Sequence, residues 1–204
     1  MNNVLYTIGH SQHDLDYFIH MLKTYGINYL LDVRSTPYSQ FAANYNREQI
    51  KAVLNDVEIQ YTFMGTYFGA RPDDKELYTK EGYLDFEKAR KAERFQTGVE
   101  NVVKGIRAGN KIALMCTEKD PIECHRAIMV ARTFYERGID VQHIMADGVL
   151  QSHDVLEQRL LNMYCPDRHQ ISLFEDSKTD EECLREAYQR HNAKIGYHKD
   201  GFEE

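Results

Sequence analysis

A chain of 204 residues, 42% hydrophobic and 28% charged, has the composition of an ordinary globular protein and is long enough for one domain with a real core. A formal net charge of −7 argues against an extended nucleic-acid surface, because binding a phosphate backbone draws on clustered Lys and Arg. Four Cys are too few for a disulfide scaffold and no run approaches the roughly 20 apolar residues that span a bilayer, so the expectation is a cytoplasmic protein with free thiols, no membrane span and no secretory leader.

In chain order, residues 4–8 form a β-rich run stopped by Gly9. Leu15, Phe18, Ile19 and Leu22 repeat at the helical period over 14–25, which Gly26 closes. Residues 27–33 are almost all apolar, as in a strand buried on both faces. A short helix is predicted over 47–54 and a third strand over 59–63. Residues 65–82, rich in Gly, Pro and charge, form a long loop, and long loops inside compact domains often carry function. A helix follows over 84–105, its charges at 88–94 forming a solvated face. Residues 111–116 make the fourth strand. Asp120, Pro121 and Glu123 have the chemistry of a helix start: N-cap, first position and third position. That helix ends before Gly138, and 139–144 is a fifth strand. Helices over 154–164 and 181–193, with a charged connector at 175–182, complete the chain.

Strands alternating with helices imply a parallel sheet covered on both faces. The expected architecture is a three-layer α/β/α domain over 1–150 with a mostly parallel sheet of about five strands, Rossmann-like or rhodanese-like. Residues 151–204 form a C-terminal helical extension packed on that domain or on a partner chain.

Parallel strands bring their carboxyl ends to one edge, where ligands bind in such sheets. The edge residues are Gly9, His10 and Ser11, then Asp32, Arg34 and Ser35, then Gly65 with Arg71, then Cys116 and Glu118, and last Asp147. Cys124, His125 and Arg126 follow on the predicted helix. Cys116 sits where a nucleophile or sulfur carrier would sit; the alternative is an inert buried thiol. His10 and Glu118 are the acid/base candidates. Arg34, Arg71 and Arg126, with Ser11 and Ser35, suit a small anion or a nucleotide. Cys124 shares a helical phase with Ala127 and Ile128, so it is expected in the core, with His125 pointing elsewhere on the helix. Cys116, Cys124 and His125 are also a possible metal set, although they lack the C-x-x-C pairing of strong zinc motifs. A further reading is a non-catalytic nucleotide or nucleic-acid binding module, with Tyr38, Tyr45, Tyr67 and Tyr78 stacking on bases. No cofactor and no oligomeric state follows from the sequence.

The set Tyr6-Thr-Ile-Gly-His-Ser11, Asp32-Val-Arg34 with Pro37, Tyr38 and Phe41, Gly69 before Arg71, Cys116-Thr-Glu118 with Pro121, Cys124-His-Arg126 and His143-Ile144 closely resembles a prokaryotic family known as domain of unknown function 488. The likeness spans most of the chain, including Ala187-Tyr188 and Ile195-Gly-Tyr197, and implies a fold and a site, with no reaction attached. Gln40 stands where that family commonly has a basic residue, and Phe68-Gly69-Ala70 where it commonly has a Gly pair. A looser likeness is to rhodanese-like domains, through Asp32-Val-Arg34, Cys116, Arg126, Gly138 and Gly148. The segment 117–125 is longer and more acidic than the cradle of those domains, so the resemblance implies fold more than chemistry.

Overall fold

Apolar residues alternate along the fourth strand so that Ile112, Leu114 and Cys116 face one side and Ala113 and Met115 the other. All five residues are buried, so this strand needs cover on both faces. The computed structural model, which describes residues 3–168 and 178–199, supplies that cover. Strands β1 (Val4–Gly9), β2 (Tyr29–Asp32), β3 (Gln60–Phe63), β4 (Ile112–Cys116), β5 (Asp140–Ile144) and β6 (Leu150–Ser152) form one sheet in the order β3-β2-β4-β1-β5-β6. All neighbours are parallel except β5 and β6.

Helices α1 (Leu15–Thr24) and α2 (Arg47–Asp56) cover one face, packing Phe18, Leu22, Ile50 and Leu54 on Ile8, Leu30, Ala113 and Met115. The other face carries α3 (Gly65–Phe68), α4 (Phe86–Lys91) and α5 (Glu93–Arg107), followed by a π-helical turn, Arg126–Ala131, that runs into α6 (Arg132–Tyr135). Helices α7 (His153–Tyr164) and α8 (Asp180–Ile195) lie on the same side, where Leu156, Leu160, Ala187 and Tyr188 join the core. This is the expected three-layer α/β fold.

Three elements differ from expectation. The sheet has a sixth strand, because Asp147 and Gly148 make a tight turn that sends the chain back along β5. Gly148 takes φ 80° there, and Asp147 Oδ1 accepts from Val149 N at 3.1 Å. Asp147 is therefore a turn residue and does not reach the site. The helix expected over 84–105 breaks at extended Ala92. The carbonyl of Arg90 is taken by the Gln96 side chain, while its guanidinium is drawn inward to Thr133, Glu87 and Glu136. Arg90 is thus buried rather than part of a solvated face. The loop 65–82 holds α3 and a short 3₁₀ turn at Lys75–Leu77. The connector expected over 175–182 lies partly outside the described residues.

The last helices are tied in by polar groups. Thr7 Oγ1, His143, His153, Tyr188 and Glu157 form a hydrogen-bonded chain with spacings of 2.8, 3.1, 3.0 and 2.9 Å. Asn192 accepts from Phe86 N at 2.9 Å and donates to Leu84 O at 2.8 Å, so one buried amide satisfies two backbone groups. Asn192→Leu removes both bonds and strands two buried backbone groups; the expected loss is about 2–4 kcal/mol in a urea titration. A loss below about 0.5 kcal/mol would show that water replaces the amide. Among the described residues, no helix is long and apolar enough to cross a membrane.

Candidate functional site

The end of β4 is held from both sides. Gly9 of β1 pairs with Cys116, and His10 N and Ser11 N donate to Cys116 O and Thr117 O at 2.9 and 2.8 Å. On the other flank Val33 N donates to Met115 O at 3.0 Å. Gly9 is required here: a Cβ at this position would lie 1.9 Å from the backbone oxygen of Glu118. The three strand ends therefore meet at Cys116, in the crevice beyond a parallel sheet where ligands bind.

The helix start expected at Asp120 is not one. Asp120 accepts from Ile122 N at 3.1 Å, but it caps only a single 3₁₀ turn, Pro121–Glu123. Asp120 is also gripped by Arg159 at 3.0 and 2.6 Å. A continuing α-helix needs the Ile122 carbonyl for the amide of Arg126. His191 Nε2 takes that carbonyl instead, at 2.7 Å, and Arg126 N turns to Cys124 Sγ at 3.4 Å. Cys124 is left extended, at φ −136° and ψ 133°. The helical chain begins after His125, as a π-helical turn, a feature often found at functional sites.

This corrects two expectations. Cys124 is buried, as a core residue would be, but it is not inside a helix and its Sγ meets polar groups. His125 does not point away; it faces the thiols. Cys116 Sγ, Cys124 Sγ and His125 Nδ1 all lie within 4.8 Å of one another. His125 Nε2 is 3.1 Å from Val33 O, and since a carbonyl only accepts, that nitrogen carries the proton. In the neutral ring Nδ1 is then bare, and it faces Cys116 Sγ at 3.8 Å. Cys124 Sγ donates to Glu118 Oε2 at 2.8 Å.

The two thiols ionise as a pair. The hydrogen bond to Cys124, burial, and the Cys124 and Glu118 charges hold Cys116 well above the ordinary thiol range. Burial also pushes Cys124 up, but the bond from Cys116, the Arg126 guanidinium and His125 outweigh it and leave Cys124 well below that range. Of the two, Cys124 is thus the stronger acid and Cys116 the weaker. Shielding from water and the neighbouring Cys124 charge raise the Glu118 carboxyl. Burial lowers His125, but Cys124 and Glu118 lift it above the ordinary imidazole value.

The arginines divide into three kinds. Arg34 forks onto Asp32 at 2.9 and 2.6 Å and donates to Tyr45 O at 2.8 Å. Its Nη1 lies 3.2 Å from His10 Nε2. Because arginine only donates, and because His10 Nδ1 faces Ser11 O at 2.9 Å, His10 is neutral with its proton on Nδ1. Burial first and Arg34 second lower the His10 pKa to about 4. Arg71 is exposed and stacks on the Tyr197 ring at 4.4 Å. Arg126 is fully buried; it donates to Glu118 O at 2.7 Å, and its Nε and Nη2 have no hydrogen-bond partner among the described residues.

A cavity of about 400 Å³ opens onto this edge, with Arg34, Ser35, Arg71, Cys116, Glu118 and His125 among its lining residues. Tyr197, beyond α8, closes one side. A neighbouring cavity of about 370 Å³ shares Ser35 and Arg71 with it. Neither cavity is lined by His10, Ser11, Arg126 or Cys124; His10, Arg126 and Cys124 are buried and Ser11 is half-buried. The tyrosines scatter: Tyr38 lines the first cavity and Tyr67 the second, while Tyr45 and Tyr78 are buried. Tyr45 stacks on His10 at 4.3 Å instead of offering a face to a ligand. Tyr61, whose hydroxyl donates to Asp32 at 2.7 Å, was not signalled by any motif.

A family model described as a domain of unknown function, DUF488, matches residues 14–133. The chain belongs to this family. No curated protein matches the sequence and no solved structure matches the chain. In this DUF488 chain the matched span carries Arg34, Arg71, Cys116, Glu118 and His125, whereas Tyr197 lies beyond it.

Proposed function

We propose that this DUF488 protein carries out thiol-dependent chemistry on a small anion or nucleotide, with Cys116 as nucleophile. The observation that carries the reading is the bare Nδ1 of His125 at 3.8 Å from Cys116 Sγ, at a cavity that Arg34 and Arg71 also line. An imidazole in that position takes the thiol proton as the sulfur attacks, so a Cys116 that keeps its proton at rest still reacts as a thiolate. Arg71 has no ion pair among the described residues and supplies net positive charge, while the Arg34 charge is offset by Asp32. His10 positions Arg34 by accepting from it. A cytoplasmic setting, where thiols stay reduced, suits this chemistry. We assign 151–204 to the same domain as 1–150, because His153 and Tyr188 bond into the sheet and Tyr197 walls the cavity.

Alkylation by iodoacetamide at pH 7, followed by peptide mapping, tests the reading. Cys116 is expected to react first, and inorganic phosphate to slow it. His125→Gln is expected to lower the Cys116 rate by about 10²-fold, the lower end of what a positioned base contributes. A Cys116 that reacts no faster than a free thiol, unaffected by phosphate, removes the nucleophile from the proposal.

A second reading has its own observation. Two sulfurs and an imidazole nitrogen within 4.8 Å suit a soft divalent cation such as Zn²⁺, with one position left open. Elemental analysis of protein purified without chelator decides between the two. About one zinc per chain, lost together with Cys124→Ser, favours metal; protein that is metal-free and reactive at Cys116 favours the thiol.

A further inference from the structure

We propose that the thiol centre is a two-thiol exchange site for anionic disulfides, in which Cys116 attacks and Cys124 resolves. This rests on the reading of Cys116 as nucleophile and names the class of compound it attacks.

A lone cysteine nucleophile needs one sulfur and one base. Here two sulfurs share one group of atoms, and each has its own proton acceptor. His125 Nδ1 stands 3.8 Å from Cys116 Sγ, and Glu118 Oε2 stands 2.8 Å from Cys124 Sγ. A cysteine placed only for packing has no use for a carboxylate beside it. Access differs in the sense exchange requires: Cys116 lines the cavity, while Cys124, 1% exposed, lies behind it. The Cys124 sulfur also accepts from the Arg126 backbone N–H, which favours a negative sulfur. Cys124 sits in extended chain between a 3₁₀ turn and a π-helical turn, so closing a bond to Cys116 breaks no α-helix. Arg71 on the cavity wall, which has no ion pair among the described residues, favours disulfides that carry carboxylates.

The exchange balances in two steps. Cys116 gives its proton to His125, and its thiolate attacks one sulfur of the bound R–S–S–R. A Cys116–S–S–R bond forms, the substrate S–S bond breaks, and the first RS⁻ leaves with the proton from His125. Cys124 then gives its proton to Glu118 and attacks Cys116 Sγ. The Cys116–Cys124 bond forms, the bond from Cys116 to the SR group breaks, and the second RS⁻ leaves with the proton from Glu118. The protein loses two electrons and the disulfide becomes two thiols. An external dithiol restores the starting state.

The test uses the reduced full-length chain in chelator-containing buffer, with Cys165 and Cys183 replaced by Ser, because Cys165 Sγ lies 3.7 Å from Cys183 O and offers a competing thiol pair. Oxidised glutathione, which carries carboxylates, is compared with cystamine, which is cationic. Free thiols are counted and peptides are mapped without reduction. Oxidised glutathione is expected to remove both thiols and join the Cys116 and Cys124 peptides, at least about tenfold faster than cystamine does. Cys124→Ser, checked for folding by circular dichroism, is expected to stop at a glutathione adduct on Cys116. An adduct that persists on Cys116 with Cys124 present overturns the proposal, as does equal reactivity toward the two disulfides. If Cys116 still alkylates fast and is protected by phosphate, the nucleophile stands and only the exchange falls. If Cys116 ignores both reagents, both readings fall.

Discussion

Lowering the pH from 7 toward 4 is expected to unfold the protein. Burial lowers His191 as well as three further buried histidines, and those three carry most of the effect. His10 has its pKa lowered to about 4 by burial and then by Arg34. Burial lowers His143 well below the ordinary value, with the His153 and Arg126 charges adding to it. His153 is lowered to about 3, again mainly by burial. In the unfolded chain all three titrate near the usual value of about 6.5. Above that value neither state takes up protons and the full stability is present. Below it the unfolded chain binds protons that the folded chain refuses, so stability falls with each step toward the folded pKa values. One such group costs about 1.4 kcal/mol per pH unit, and three together about 4. A domain with about 5–15 kcal/mol in hand exhausts that within roughly one to four units. His125, raised by its thiolate and carboxylate neighbours, works in the opposite direction and offsets part of one group's share. Urea midpoints at pH 7, 6 and 5 check the slope, and His143→Gln is expected to flatten it. Midpoints that do not move between pH 7 and 5 would refute the neutral-histidine assignment.

Gly9→Ala is expected to cost about 3 kcal/mol or more and to displace the segment after Cys116. The added Cβ meets Glu118 O at 1.9 Å and Glu118 C at 2.9 Å. Both are backbone atoms, so no rotamer change relieves the overlap. The Arg126 Nη2 atom, 3.2 Å away, must move too. Either the strand end or the 117–118 segment shifts, and the second of these carries the carbonyl that holds Arg126. The effect is therefore expected in two readouts, a lower thermal midpoint and a changed alkylation rate at Cys116. A variant within about 1 kcal/mol of the parent, with unchanged reactivity, would mean that the crossing is looser than the geometry requires.

The parts of the fold set by local pattern were legible. Continuous apolar runs placed β2 and β4, helical periodicity placed α1 and α2, and the strand-end rule put Arg34 and Cys116 at one edge. The DUF488 resemblance matched the family found for residues 14–133. What was not legible depends on partners distant in sequence. The chemistry of Asp120, Pro121 and Glu123 is that of a helix start, and it does cap a turn. Arg159 and His191 then take the side chain and the carbonyl that a continuing helix would have used. Two side chains from α7 and α8 thus decide that His125 faces a thiol. The depth of Arg126 was hidden for a related reason: a guanidinium reads as a surface group until the segment above it is placed. The sixth strand was signalled by Asp147 and Gly148, but only pairing with β5 turns three residues into a strand.

Tyr197 and Ile195 wall the cavity, yet they come some seventy residues after His125 and from outside the matched family span. Part of the cavity wall is thus written far along the chain from Cys116 and His125. Substitutions at Ile195 or Tyr197 reshape that wall without touching Cys116, Cys124 or His125.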